Sequence, residues 1–168
     1  MLLEGGPDVV SMRVVASGCH VAVGALYNYY PSKGAMLSAL IVNIWEDVFE
    51  PFTAVESYPS FIAAVEALLD AIGTTGARMP GFLQSHALSF ASGERIQGRG
   101  AMHAYFDVLE RHLLRALDED PNIREGVFDN GLSKLEFVTY IMTLTIASQH
   151  QSRGSKQTML AFIGNSIY

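Results

Sequence analysis

Ser11-Met12-Arg13-Val14-Val15-Ala16-Ser17-Gly18-Cys19-His20-Val21-Ala22-Val23-Gly24-Ala25-Leu26-Tyr27-Asn28-Tyr29-Tyr30-Pro31-Ser32-Lys33 is the stretch on which the reading of this chain turns. Ser11 can cap a short helix whose inner positions are Val15, Ala16 and Cys19. A tight turn near His20-Val21 leads into a second short helix with Leu26 inward. Small residues at Ala16 and Gly24 would let the two helices approach closely, as a helix-turn-helix needs. Tyr27, Tyr29 and Lys33 fall near the end of the second helix and the start of the next. There a phenol or an ammonium can hydrogen-bond a phosphate oxygen.

Downstream, the apolar spacing is helical throughout. Ser32 is a plausible cap for a long helix with Met36, Leu37, Leu40, Ile41, Ile44, Trp45, Val48, Phe49 and Phe52 on one broad stripe. Pro51 is expected to weaken or kink its far end. A second long helix reads from about Ser60 to Ala77, with Gly73 and Gly76 in its last turns. Pro80 suits the start of another segment carrying Phe82, Leu83, His86, Leu88 and Phe90. Ser92 to Gly100 reads as a surface loop. Met102, Tyr105, Phe106, Leu109, Leu113 and Leu117 follow on an amphipathic helix stopped by Asp120-Pro121. Residues 133–151 are apolar on most sides, which predicts a helix buried on most sides. A last apolar helix spans about 156–168. No alternating strand pattern and no internal repeat competes, so the predicted class is all-α.

Composition sharpens this. The 168 residues are 49% hydrophobic and 17% charged, and the mean hydropathy is +0.22. So apolar a chain can bury a sizeable core, and so few charges point to surface hidden against another copy. The net charge of −6 argues at first against nucleic acid, whose phosphates usually leave a basic footprint. Its distribution removes the objection. Residues 1–34 balance Arg13 and Lys33 against Glu4 and Asp8, so the whole acidic excess lies in residues 35–168.

Other function classes find no support. Cys19 is the only cysteine, which excludes an internal disulfide and a cysteine-rich zinc site. The start of the chain lacks the basic and apolar regions of a signal peptide, and no apolar run is long enough to span a bilayer. A reduced, cytoplasmic setting without membrane association is expected. His103 and His112 do not share a helix face at ligand spacing, and there is no HExxH, no Gly-x-Ser-x-Gly elbow and no phosphate loop. No catalytic group, metal or cofactor is expected, and the chain is read as a non-enzyme.

The pairs Val15-Ala16 and His20-Val21 and the run Gly24-Ala25-Leu26-Tyr27-x-Tyr29-Tyr30-x-x-Lys33 resemble the TetR family of bacterial transcriptional regulators in order and spacing. Glu4-Gly5-Gly6 is similar to the end of that family's first helix, so most of that helix is expected to be lacking from a truncated headpiece at residues 1–34. The resemblance implies contacts with operator DNA from Ser11 and Arg13 at the first short helix. It implies groove-facing positions for Ala22, Val23 and Ala25, and a backbone clamp from Tyr27, Tyr29 and Lys33. Leu26 and Tyr30 would hold the headpiece core. Two departures from the family pattern stand out. His20 replaces the usual turn glycine, so positive φ would be strained there. Ala22 and Val23 offer apolar contact, for example to thymine methyls, where polar groups are common.

The same resemblance makes residues 35–168 a helical effector-binding and dimerisation domain, with a homodimer built through the last two helices. Trp45, Phe49, Phe82, His86, Phe90, Met102, Tyr105, Phe106 and Met142 are its candidate pocket residues, a set suited to a small apolar or aromatic effector. The implied mechanism is a repressor dimer whose recognition helices sit about 34–36 Å apart on DNA and lose that spacing when effector binds. The alternative is a small-molecule-binding and dimerisation module without DNA binding.

Overall fold

Serine side chains open helices along this chain. The computed structural model describes residues 10–78, 99–129, 131–148 and 155–168. Among the described residues there are seven helices and no strand, so the fold is all-α. Ser11 Oγ accepts from Val14 N at 3.2 Å to open α1, Met12–Gly18. α2 spans Val23–Tyr29 and starts at Ala22 without a side-chain cap. Ser32 Oγ accepts from Ala35 N at 3.1 Å to open α3, Lys33–Thr53. Ser60 Oγ does the same for Ala63 N ahead of α4, Phe61–Arg78. α5 spans Arg99–Glu119, α6 Lys134–Ser148 and α7 Ser155–Ile167. Ser133 and Glu136 form a reciprocal capping box at α6: Ser133 Oγ accepts from Glu136 N, and Glu136 Oε2 accepts from Ser133 N.

Pro51 lies inside the far end of α3, which runs on to Thr53. Its missing N–H forgoes the helical bond to Asp47 O in the turn before it, while Thr53 Oγ1 donates to Phe49 O in the last turn. Arg99 and Gly100 belong to α5 and not to a loop. The segment expected to start at Pro80 and most of the expected loop lie outside the described residues.

Two apolar cores share α3. The smaller joins buried Val10, Met12 and Met36 with Val15, Val23, Leu26, Tyr30, Leu37 and Leu40, so the first turns of α3 complete the core of the α1–α2 unit. The larger gathers Phe49 and Phe52 of α3 with Phe61, Leu68, Leu109, Leu113, Ile141 and Ile163 from the other helices. Each such side chain contributes roughly 1.5–3 kcal/mol through burial. One helix therefore joins the α1–α2 unit to the remainder of the fold.

Helix α6 departs from the expectation of burial on most sides. Phe137, Val138, Ile141 and Met142 are buried, but Leu135, Tyr140 and Leu144 are exposed. Phe162 on α7 is exposed as well. No helix among the described residues is long and apolar enough to cross a membrane, and no cluster of three ligating side chains there could hold a metal ion.

Candidate nucleic-acid interface

The turn between α1 and α2 sets the geometry of the site. His20 N donates to Ser17 O at 3.2 Å and Val21 N donates to Ala16 O at 3.0 Å. That pair of bonds is a Schellman motif, which satisfies carbonyls at the end of α1 and turns the chain towards α2. The motif requires a left-handed residue, and His20 takes it at φ 55. Histidine is tolerated there better than a branched residue, at a cost of about 1 kcal/mol against glycine.

Within α2, Val23 and Leu26 pack on the small core, together with Tyr30 just beyond the helix. At 100° per residue these positions define one inward stripe. Gly24 and Asn28 are turned outward and exposed, and Ala25 is half-buried. A Cβ at Gly24 would meet no atom within 4 Å, so this glycine is not the close helix–helix contact expected of it. Ala16 is, being buried at the heart of the unit. Cys19 was expected inward but is exposed, because it caps α1 at φ −90 and ψ 0 and no longer follows the helical stripe.

The expected contact residues fall into distinct places. Arg13 and Ala22 are exposed, while Ser11 and Lys33 are half-buried. Tyr27 is 52% and Tyr29 80% exposed, leaving both phenols open to solvent. Val23, expected at the groove, is half-buried against the small core. Residues 10–34 carry Arg13 and Lys33 and no carboxylate, so the described headpiece is locally cationic. Asn28 was not among the expected contacts. The arithmetic that puts Leu26 inside would have put it outside.

The expected pocket residues come together only in part. The Trp45 and Phe49 rings stack at 5.4 Å and 6°, Phe106 tilts against Trp45 at 6.3 Å, and Tyr105 stacks on Phe49 at 5.9 Å. Burial raises the Tyr105 phenol above its ordinary pKa; a hydrogen bond with Thr53 opposes this and the Glu46 charge adds to it. Met142 is buried in the same large core. Phe82, His86, Phe90 and the Met102 side chain lie outside the described residues, as does any remnant of a helix before residue 10.

Comparison with known proteins bears on this unit directly. The family model described as bacterial regulatory proteins, tetR family, matches residues 1–40. Among curated proteins, the nucleoid occlusion factor SlmA of Pasteurella multocida is 32% identical over 127 residues, covering 73% of this chain and 62% of its own length. SlmA of Haemophilus ducreyi is 33% identical over 127 residues, covering 73% and 61%. SlmA of Mannheimia succiniciproducens is 31% identical, covering 73% and 57%. The chain thus spans about three-fifths of the length of the curated relatives it matches. No solved structure matches it. With a Schellman-turned α1–α2 unit and this family match over the same residues, the headpiece of this chain is a unit of the TetR family of bacterial regulatory proteins.

Proposed function

We propose that this protein is a DNA-binding regulator, working as a homodimer in the cytoplasm, with no enzymatic activity of its own. Residues 1–34 form its DNA-binding headpiece and residues 35–168 its effector-binding and dimerisation domain. The observation that carries the reading is the outward display of Arg13, Tyr27 and Tyr29 from a unit whose inner face is held by Leu26 and Tyr30. Exposed phenols and a guanidinium on one small helical unit suit phosphate oxygens, which fix register on a duplex. Charge distribution supports it, since residues 10–34 hold no carboxylate, residues 1–34 sum to zero, and the net negative charge that repels phosphate lies in the body. The exposed apolar side chains of α6 and α7 supply a surface for a second copy, and two-fold symmetry would set two headpieces against successive turns of DNA.

The finer reading is a repressor released by a small apolar or aromatic effector. The Trp45, Phe49, Tyr105 and Phe106 cluster supports it, because α3 runs from that cluster straight into the headpiece core. A ligand that repacked Trp45 would shift α3 and with it the spacing of the headpieces. A second reading follows from the relatives, whose name is nucleoid occlusion factor. On it the protein acts at the nucleoid.

Mobility-shift titration followed by genome-wide mapping of bound DNA tests these readings. A shift at low salt with sites concentrated at a few promoters supports the repressor. Sites spread along the chromosome support the occlusion reading. Failure to shift any duplex leaves the module without DNA binding. Trp45, the only tryptophan, reports on the effector: aromatic compounds that enter its cluster change its fluorescence and dissociate the complex.

A further inference from the structure

We infer that Asn28 reads an adenine in the major groove and gives the protein a preference for A·T pairs at the point where α2 crosses the bases. The inference rests on the DNA-binding reading above and adds the base class to it. Val23 and Leu26 of α2, with Tyr30 just beyond it, point into the small core. Asn28 stands two residues beyond Leu26 and two before Tyr30, which puts it on the opposite face of the helix. It is exposed, and its carboxamide makes no hydrogen bond among the described residues.

The remaining outward positions limit what α2 can recognise. Gly24 has open space around it, Ala25 and Ala22 end at methyl groups, and Val21 is exposed. None of these donates or accepts through its side chain. Neither arginine nor lysine occurs between Val21 and Ser32, so α2 has no side chain for the paired acceptors of guanine. Asn28 is the only carboxamide on the helix, and its oxygen and NH2 match the N6 donor and N7 acceptor of adenine. The small neighbours leave room for a base edge to approach that carboxamide, and their methyls suit the thymine C5 methyl. Tyr27 and Tyr29 have the different task of holding phosphate, which carries no sequence information.

The test is selection from a randomised duplex pool by the 168-residue chain and by its Asn28→Ala and Asn28→Arg variants. The exposure of Asn28 predicts unchanged folding, checked by circular dichroism. The wild type should enrich a motif with an A·T pair in each half-site. Asn28→Ala should lose discrimination at that pair by roughly tenfold or more and keep its preferences elsewhere. Asn28→Arg should shift the same position towards G·C. A wild type that selects a motif which Asn28→Ala reproduces in full overturns the assignment while leaving DNA binding intact. A wild type that enriches no DNA overturns both.

Discussion

The Tyr168 phenol donates to the Asp120 carboxylate, tying the residue after α7 to the residue after α5 at the first turn of α4. Phe61 N donates to the same carboxylate at 2.8 Å, and Asn122 N donates to it at 2.9 Å. Three separate segments therefore meet at one buried charge. Burial alone would raise the Asp120 carboxyl, but the hydrogen bonds from Tyr168, Phe61 and Asn122 outweigh it and hold the pKa below the ordinary aspartate value. A depressed folded pKa stabilises the fold above the unfolded value of about 3.9, and the contribution fades as pH falls through the folded value. Urea unfolding should show wild-type stability falling below about pH 5. Asp120→Ala should lose about 2–3 kcal/mol at pH 7, with a shallower decline on acidification. An unchanged acid slope would refute the role given to this carboxylate.

His20 occupies the left-handed position of the Schellman turn at φ 55. His20→Gly relieves the clash between Cβ and backbone but adds freedom to the unfolded chain. The first effect is the larger, so the variant should be more stable by about 0.5–1 kcal/mol. Amide exchange of α1 and α2 should slow accordingly. Faster exchange in the variant would mean that the imidazole stabilises the turn in some other way.

Tyr140 on α6 is 66% and Phe162 on α7 is 55% exposed in a single protomer. Leu144, one turn beyond Tyr140 on the same helix, is exposed beside it. A dimer through α6 and α7 would bury this surface, and a charge placed within it would meet its own copy across the two-fold axis. Tyr140→Glu should sediment as a monomer at concentrations where the wild type is a dimer. Its DNA affinity should fall with the loss of two-headed binding. A dimeric Tyr140→Glu protein would move the interface elsewhere.

Much of this fold is legible in residue order because its signals are local. Ser11 and Ser32 each precede an apolar run at helical spacing, and each accepts the hydrogen bond that a cap should. Leu26 and Tyr30 lie inward as their spacing requires. What escapes the sequence depends on distance or on a partner. Asp120 and Tyr168 are 48 residues apart, and nothing in their neighbourhoods announces the pairing. Periodicity marks α6 as apolar on most sides, but it does not say which side meets its own chain. At the candidate site, helical arithmetic fails at Cys19 because it caps α1, and a small residue at Gly24 does not by itself mark a contact. Asn28 carries no signal in the family resemblance, and only its outward place on α2 marks it.

A variant at Tyr29 tests the proposed phosphate contact apart from base reading. Its side chain is 80% exposed, so Tyr29→Phe removes a hydroxyl that supports nothing in the folded protein and should change stability by under about 0.5 kcal/mol. A phenol bonded to a phosphate oxygen contributes roughly 1 kcal/mol or slightly more, which is about a fivefold to tenfold loss of affinity on removal. The loss should be the same for every duplex tested, because phosphate is common to all of them. Asn28→Ala should instead weaken the preferred sequence and spare the others. Fluorescence anisotropy with one preferred and one scrambled duplex measures both ratios. Equal affinity of Tyr29→Phe and wild type for both duplexes would remove the phenol from the interface.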